Sequence, residues 1–360
     1  MQRADVRAST PQVIRRGIQM TIDVSFFVRL FPLPTLLVLA CCSGPAPQTF
    51  LHEFATTATP WTHDRFDDQE GKFTFAIISD LQSGDREGVF KVAVAQLSLL
   101  RPELILSVGD LIEGGSEDRA TLAREWDDFD ARASQARAPV FYVGGNHDLT
   151  NQTMRDVWIE RYGARYYHFV YKDVLFLVLD TEDYTDERMQ EIYLARAAAL
   201  EVEDPEEYEQ MEYYWMPETE TGEIGRNQSE HFRKIIADNP HVRWTILFMH
   251  KPVWQREDEP DFAAIESALS DRPYTVFNGH FHIYSHTLKN GRDYIMLGTI
   301  GGEQTPDSDM SFDHVTLVTM SGDGPSIAHL RLDGVLDKTG HVPAGGDSLC
   351  FQASKCGSGK

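Results

Sequence analysis

The chain contains short apolar runs that each stop on a polar, ligand-type side chain. "FTFAIISD" stops at Asp80 and "ELILSVGD" at Asp110. "APVFYVGGNHD" runs into Asn146, His147 and Asp148, and "TILFMH" stops at His250. A further run, "YTVFNGHFH", brings in His280 and His282 behind Gly279. Continuous apolar stretches of this length, separated by helical spacing, are strands buried on both faces. Such strands have no structural use for a carboxylate or imidazole at the end. One of them alone is explained as a cap for the next helix, but the whole ordered series is not. Ligand sites in open α/β sheets form where the strands present their carboxyl ends.

The spacing between the runs supports an α/β fold. Helical periodicity is expected over Glu87–Leu100, Arg119–Gln135 and Gln228–Ala237. Strand, helix and strand in alternation imply right-handed crossovers and parallel pairing. "YYHFVYKDVLFLVLDT" reads as a hairpin turning at Lys172 and Asp173, and "DYIMLGT" and "DHVTLVTM" add strands. A total of about nine strands predicts two packed sheets flanked by helices, an α/β/β/α sandwich. In the last run, alternate residues of a strand share a face, so His280 and His282 are expected to project together. Gly279 would let the backbone approach something closely.

The rest of the chain is organised around this body. The apolar run Leu30–Ala40 follows Arg29 and is too short to span a bilayer, which takes about 20 residues. It has the length of an export-signal core. Val38-Leu39-Ala40-Cys41 resembles the lipobox of bacterial lipoproteins, which implies a lipid on Cys41; an ordinary secretory signal is the other reading. The expected organisation is an export signal over residues 1–42, a tether over 43–72, the folded domain over 73–335 and a tail over 336–360. The protein is accordingly expected in the periplasm or cell envelope. In an oxidising compartment Cys350 and Cys356 can close a small loop, or they remain free thiols. An acidic insertion over about 182–225 carries Tyr213, Tyr214 and Trp215, too aromatic for a disordered segment. It is expected to pack on the outer helices or edge the site as a lid. The formal charge of −23 argues against nucleic acid as a partner.

Oxygen and nitrogen donors without thiolate suit hard or borderline divalent ions, and one carboxylate between two ions can bridge them. The ordered motifs Gly-Asp, Gly-Asn-His-Asp and Gly-His-x-His, between about Phe73 and Gly301, resemble those of the calcineurin-like metallophosphoesterase superfamily. The resemblance implies that family's sandwich fold and two divalent ions, with manganese favoured and iron, zinc or magnesium as alternatives. Asp110 would bridge the ions. Asp80 and His282 would serve the first, and Asn146, His250 and His280 the second. His147 would face the scissile phosphate, steered by Asp148. The expected reaction is hydrolysis of small phosphate mono- or diesters by hydroxide held between the ions. The alternative is a non-catalytic binding or scaffold protein on the same fold with a decayed centre.

One position departs from the family pattern: Gln82 stands where a histidine is usual, after Asp80 and Leu81. An amide oxygen is a harder ligand than imidazole, which tilts the first site toward manganese or magnesium. Lys251, directly after His250, is expected to be solvent-exposed, with contact to a phosphate as the other reading, and His241, His286 and His314 to be ordinary surface or core residues. A Ser-His-Asp hydrolase is not indicated, since the chain has no Gly-x-Ser-x-Gly elbow.

Overall fold

A computed structural model describes residues 71–82 and 86–356. The expected export signal, Cys41 and all but the last two residues of the tether lie outside the described residues. The strands are β1 (Phe73–Ile78), β2 (Leu104–Ser107), β3 (Val140–Phe141), β4 (Tyr167–Tyr171), β5 (Val174–Val178), β6 (Trp244–Phe248), β7 (Tyr274–Asn278), β8 (Ser285–Lys289), β9 (Arg292–Met296), β10 (His314–Ser321) and β11 (Gly324–Arg331). They form two mixed sheets, in the orders β11-β10-β1-β2-β3 and β4-β5-β6-β7-β9-β8. The strands beyond the expected set are β8 and β11, both antiparallel edges. Their residues are mostly exposed or half-buried, so they lack the continuous apolar signature of the central strands.

β5 shows why the central runs are apolar throughout. Val174, Phe176 and Val178 face the other sheet, where they meet Phe75 and Leu106, beside Phe248 of the neighbouring β6. Leu175 and Leu177 face outward and are covered by Phe232, Ile236, Phe262 and Ile265. The last four lie on the helices Arg226–Asp238 and Pro260–Ala268. On the far side of the other sheet, Phe90, Trp126 and Trp158 from the helices Val89–Leu100, Arg119–Ala133 and Gln152–Tyr162 pack on Ala76, Ile78 and Ile105. Each fully buried side chain of this size contributes about 1.5–3 kcal/mol. The result is the expected four-layer α/β/β/α sandwich.

Local chemistry sets the element boundaries. The Asp118 carboxylate accepts the N–H groups of Ala120 and Thr121, both at 3.2 Å, and starts the helix at Arg119 as expected. Lys172 and Asp173, with φ of 46° and 60°, form the two-residue hairpin turn between β4 and β5.

The acidic insertion is an excursion from the carboxyl end of β5. It holds the helix Asp186–Ala199 and three short helical turns, ending with Pro217–Thr221. Its two ends are pinned together where Glu223 N–H donates to the Thr181 carbonyl at 3.0 Å. Tyr184, Met189, Ile192 and Met216 give it a small core of its own. Residues 336–356, set apart in the sequence as part of a tail, run back over the domain and bury Val342 and Phe351. Cys350 and Cys356 are joined in a disulfide with their Cα atoms 6.1 Å apart.

Candidate metal centre

The loops at the carboxyl ends of β1, β2, β6 and β7, together with the loop after β3, converge at one end of the sandwich. Asp80 and Asp110 are 0 % and 1 % exposed, so two carboxylates sit in the interior within reach of three imidazoles. One ligand atom each from Asp110, His250 and His280 lie within 4.8 Å of one another, and the same is true of Asp80, Asp110 and His282. The two groups share Asp110. Asn146 joins the former group through its side-chain oxygen, 3.0 Å from His250 Nε2.

Backbone carbonyls orient all three rings. His250 Nδ1 lies 2.8 Å from the Val108 carbonyl and His282 Nδ1 2.6 Å from that of Glu303, so each donates there and turns Nε2 to the site. His280 is reversed, with Nε2 donating to the Thr219 carbonyl at 2.8 Å, and offers Nδ1. Such second contacts fix the tautomer of a metal-ligating histidine.

The carboxylates are crosslinked to the loops opposite them. Asp80 accepts the His280 N–H at 2.9 Å, and Asp110 accepts that of His147, also at 2.9 Å. The Ser79 hydroxyl donates to Asp80 as well. Gln82 is buried, and its backbone N–H donates to the Asp110 carbonyl at 3.2 Å.

Close approach explains the glycines of the motifs. A Cβ on Gly279 would lie 2.3 Å from Asp80 Oδ2, and one on Gly145 would lie 2.3 Å from Asp110 Oδ1. Four ligand-type residues hold left-handed backbone: Asp80 (φ 36°), Asp110 (54°), His280 (84°) and His282 (57°). Each costs roughly 1–2 kcal/mol outside glycine, a kind of strain that clusters at functional sites. This corrects one expectation. β7 stops at Asn278, so His280 and His282 do not share a strand face. They leave a turn in different directions, one toward each ligand group.

The electrostatics call for positive charge. Burial raises the Asp80 pKa, although His282 and His250 oppose it. Burial works against the charge of Asp110 too, but His250 and then His147 outweigh it and hold this carboxyl well below its usual range. His250 pays for burial, yet Asp110 and Asp80 push it up to about 9. The two carboxylates thus favour positive charge beside them. A divalent cation would supply the same charge, so the residues present fit such ions.

Two further expectations are corrected. Asp148 does not steer the His147 ring, whose Nδ1 lies 2.8 Å from the Glu113 carbonyl. The Asp148 carboxylate instead accepts three backbone N–H groups, from Leu111 (2.9 Å), Ile112 (3.1 Å) and Gly145 (2.8 Å), and so ties the Asp110 loop to the Asn146 loop. Burial, and then the charge of Asp110, push its pKa up to about 8 against those donors. Lys251 is 2 % exposed rather than solvated. Its Nζ pairs with Glu182 Oε1 at 2.8 Å and donates to the Glu218 carbonyl at 2.9 Å.

A cavity of about 470 Å³ opens on Asp110, Asn146, His147, His280 and His282, with Phe281 and Pro306 as its apolar wall. Among the described residues that line it there is no Lys or Arg. The carbonyls of Val108, Glu113, Thr219 and Glu303 were missed from sequence, because a backbone acceptor leaves no residue-type signal. Lys251 did leave one, since a lysine at the end of a buried strand needs a buried partner.

A family model of calcineurin-like phosphoesterases matches residues 73–284. The serine/threonine-protein phosphatase CPPED1 of Danio rerio is 23% identical over 254 residues, 64% of this chain and 72% of that one. Among solved structures, a dimetal phosphatase from Danio rerio is 16% identical with a TM-score of 0.48, over 72% of this chain and 98% of that one. Purple acid phosphatase PPD1 from yellow lupin is 14% identical with a TM-score of 0.48, over 74% of this chain and 53% of its own.

Proposed function

This chain belongs to the calcineurin-like phosphoesterase family and is a hydrolase of phosphoric ester bonds; on that premise we propose that it cleaves small phosphate mono- or diesters with two divalent ions. The observation that carries the reading is the pair of ligand groups sharing Asp110, with His147 bonded to the same carboxylate at the cavity wall. Asp80, Gln82 and His282 would hold the first ion, Asn146, His250 and His280 the second, and Asp110 both. Manganese is the ion proposed, because Gln82 makes the first group richer in hard oxygen donors. Such ions supply Lewis-acid stabilisation and lower the pKa of a bound water from about 15.7 to about 7.

The chain's own groups orient and complete the reaction. The crosslinks from His147 to Asp110 and from His280 to Asp80 keep the donor atoms in place before substrate arrives. Since His147 Nδ1 is taken up by the Glu113 carbonyl, Nε2 carries a proton only in the imidazolium form. That proton is the one passed to the departing ester oxygen, a role worth roughly 10²–10⁴-fold. The Phe281 and Pro306 wall would receive the leaving group.

The test is hydrolysis of p-nitrophenyl phosphate and of bis-p-nitrophenyl phosphate by the full chain with manganese, beside an Asp110→Ala control. Turnover that disappears in the control supports the reading. No turnover of either ester under any divalent ion would favour the scaffold alternative, against which the ligand set speaks, altered only at Gln82. Export and lipid attachment at Cys41 form a separate proposal, resting on Leu30–Ala40 and the residues up to Cys41. Palmitate labelling that is absent from the parent, or that persists in Cys41→Ser, would refute lipid attachment at Cys41.

A further inference from the structure

We infer that the acidic excursion between β5 and the helix Arg226–Asp238 is a working part of the second ion site, because its Glu218–Thr219 turn decides which nitrogen His280 offers. This rests on the two-ion reading above. The contact is direct: His280 Nε2 donates to the Thr219 carbonyl at 2.8 Å. Thr219 lies in the short helical turn Pro217–Thr221, whose last carbonyls have no partner within the turn itself. With Nε2 occupied, Nδ1 faces Asp110 and His250, and the His280 and His250 ring centroids are 5.1 Å apart. Among the three ligand histidines, His280 alone is oriented from the excursion.

The turn is itself held by buried charge. Glu218 is 4 % exposed, and Arg188, on the excursion's first helix, grips both its oxygens at 3.1 and 2.9 Å. From the other side Lys251 donates to the Glu218 carbonyl and pairs with Glu182 at the excursion's start. Lys251 directly follows His250, so one buried lysine connects the strand end that carries one ligand to the turn that orients another. A buried charge that loses its partner is expensive, so this clamp closes in one way. The first group, Asp80 with His282, is oriented by Ser79, the Glu303 carbonyl and the His280 backbone N–H, all outside the excursion and none dependent on the His280 ring.

Arg188 and Glu218 are therefore positioning residues for the second ion and not for the first. Coupling of this kind is reciprocal: the second ion steadies the excursion as much as the excursion favours the ion.

The experiment is a calorimetric titration of the full chain with Mn2+, comparing the parent with Arg188→Met and Glu218→Gln. The parent is expected to bind two ions. Each variant should lose about 10- to 100-fold in affinity for one of them and leave the other unchanged, with Arg188→Lys restoring part of the loss. Equal weakening of both ions, or of neither, overturns the inference. A parent that binds fewer than two ions defeats the two-ion reading itself, which is a distinguishable result. Independently of any variant, trypsin cleavage within residues 186–221 of the parent should slow on adding Mn2+ and recover in EDTA. Identical rates in the two conditions would overturn the coupling even if the variants failed to fold.

Discussion

The backbone N–H of His147 donates to Asp110 Oδ1 at 2.9 Å, which joins the residue facing the substrate cavity to the carboxylate common to both ligand groups. On the two-ion reading, removing the Asp110 side chain therefore affects both proposed sites and the His147 loop together. Asp110→Ala should lose detectable hydrolysis and both high-affinity Mn2+ sites, measured by turnover and calorimetry on the same preparation. Turnover that survives in the metal-depleted variant would exclude the dinuclear mechanism.

His147 and Asp148 should separate in their effects. His147→Ala is expected to lower kcat by roughly 10²–10⁴-fold with Mn2+ affinity close to that of the parent. Asp148→Asn turns an amide N–H group toward backbone donors, so it should lose about 1–3 kcal/mol of stability and weaken metal binding as well. Urea unfolding and calorimetry on both variants check this. Equal stability losses would return Asp148 to a steering role.

Gln82→His should tighten the first site and move its preference from manganese toward zinc or iron, because imidazole is the softer donor. Competition titrations with the two metals measure the shift, and unchanged affinities would remove Gln82 from the ligand set.

Gly279→Ala places a methyl group against Asp80 Oδ2, with 2.3 Å available. It should cost about 1–3 kcal/mol and weaken the first site. Gly334, whose added Cβ would meet nothing within 4 Å, is the control. Gly334→Ala should stay within about 0.5 kcal/mol of the parent. Equal thermal midpoints for the two variants would mean that the cradle yields easily.

His314 supplies a pH dependence away from the ions. Burial, and then the His329 ring with its centroid 5.5 Å away, push its pKa down to about 3. Unfolded histidine titrates near about 6.5, so between those values the unfolded chain binds the extra proton. The stability contribution is complete above the unfolded value and is lost as the pH falls below it, by about 2 kcal/mol at pH 5. Urea unfolding in EDTA at pH 7 and pH 5 should show that His314→Leu loses less on acidification by about that amount. Equal losses would place the charge elsewhere.

Much of this architecture was legible in the residues. A strand buried on both faces must be apolar throughout, so β1, β2, β5, β6 and β7 were visible as runs, and the ligand-type residues stood out as exceptions at their ends. β8 and β11 are mostly exposed or half-buried and carry no continuous apolar run, which is why they were not seen. What the sequence by itself determined was the fold class and the set of side chains gathered at one end of the sandwich, because apolar periodicity and residue type are local properties. Only the tertiary structure decided how those side chains are aimed. The carbonyls of Val108, Glu303 and Thr219, the Leu111 and Ile112 N–H groups on Asp148, and the burial of Lys251 between Glu182 and Glu218 all come from chain segments distant in sequence. A backbone hydrogen bond has no letter in the sequence, so it can be read only once the fold has brought its two ends together.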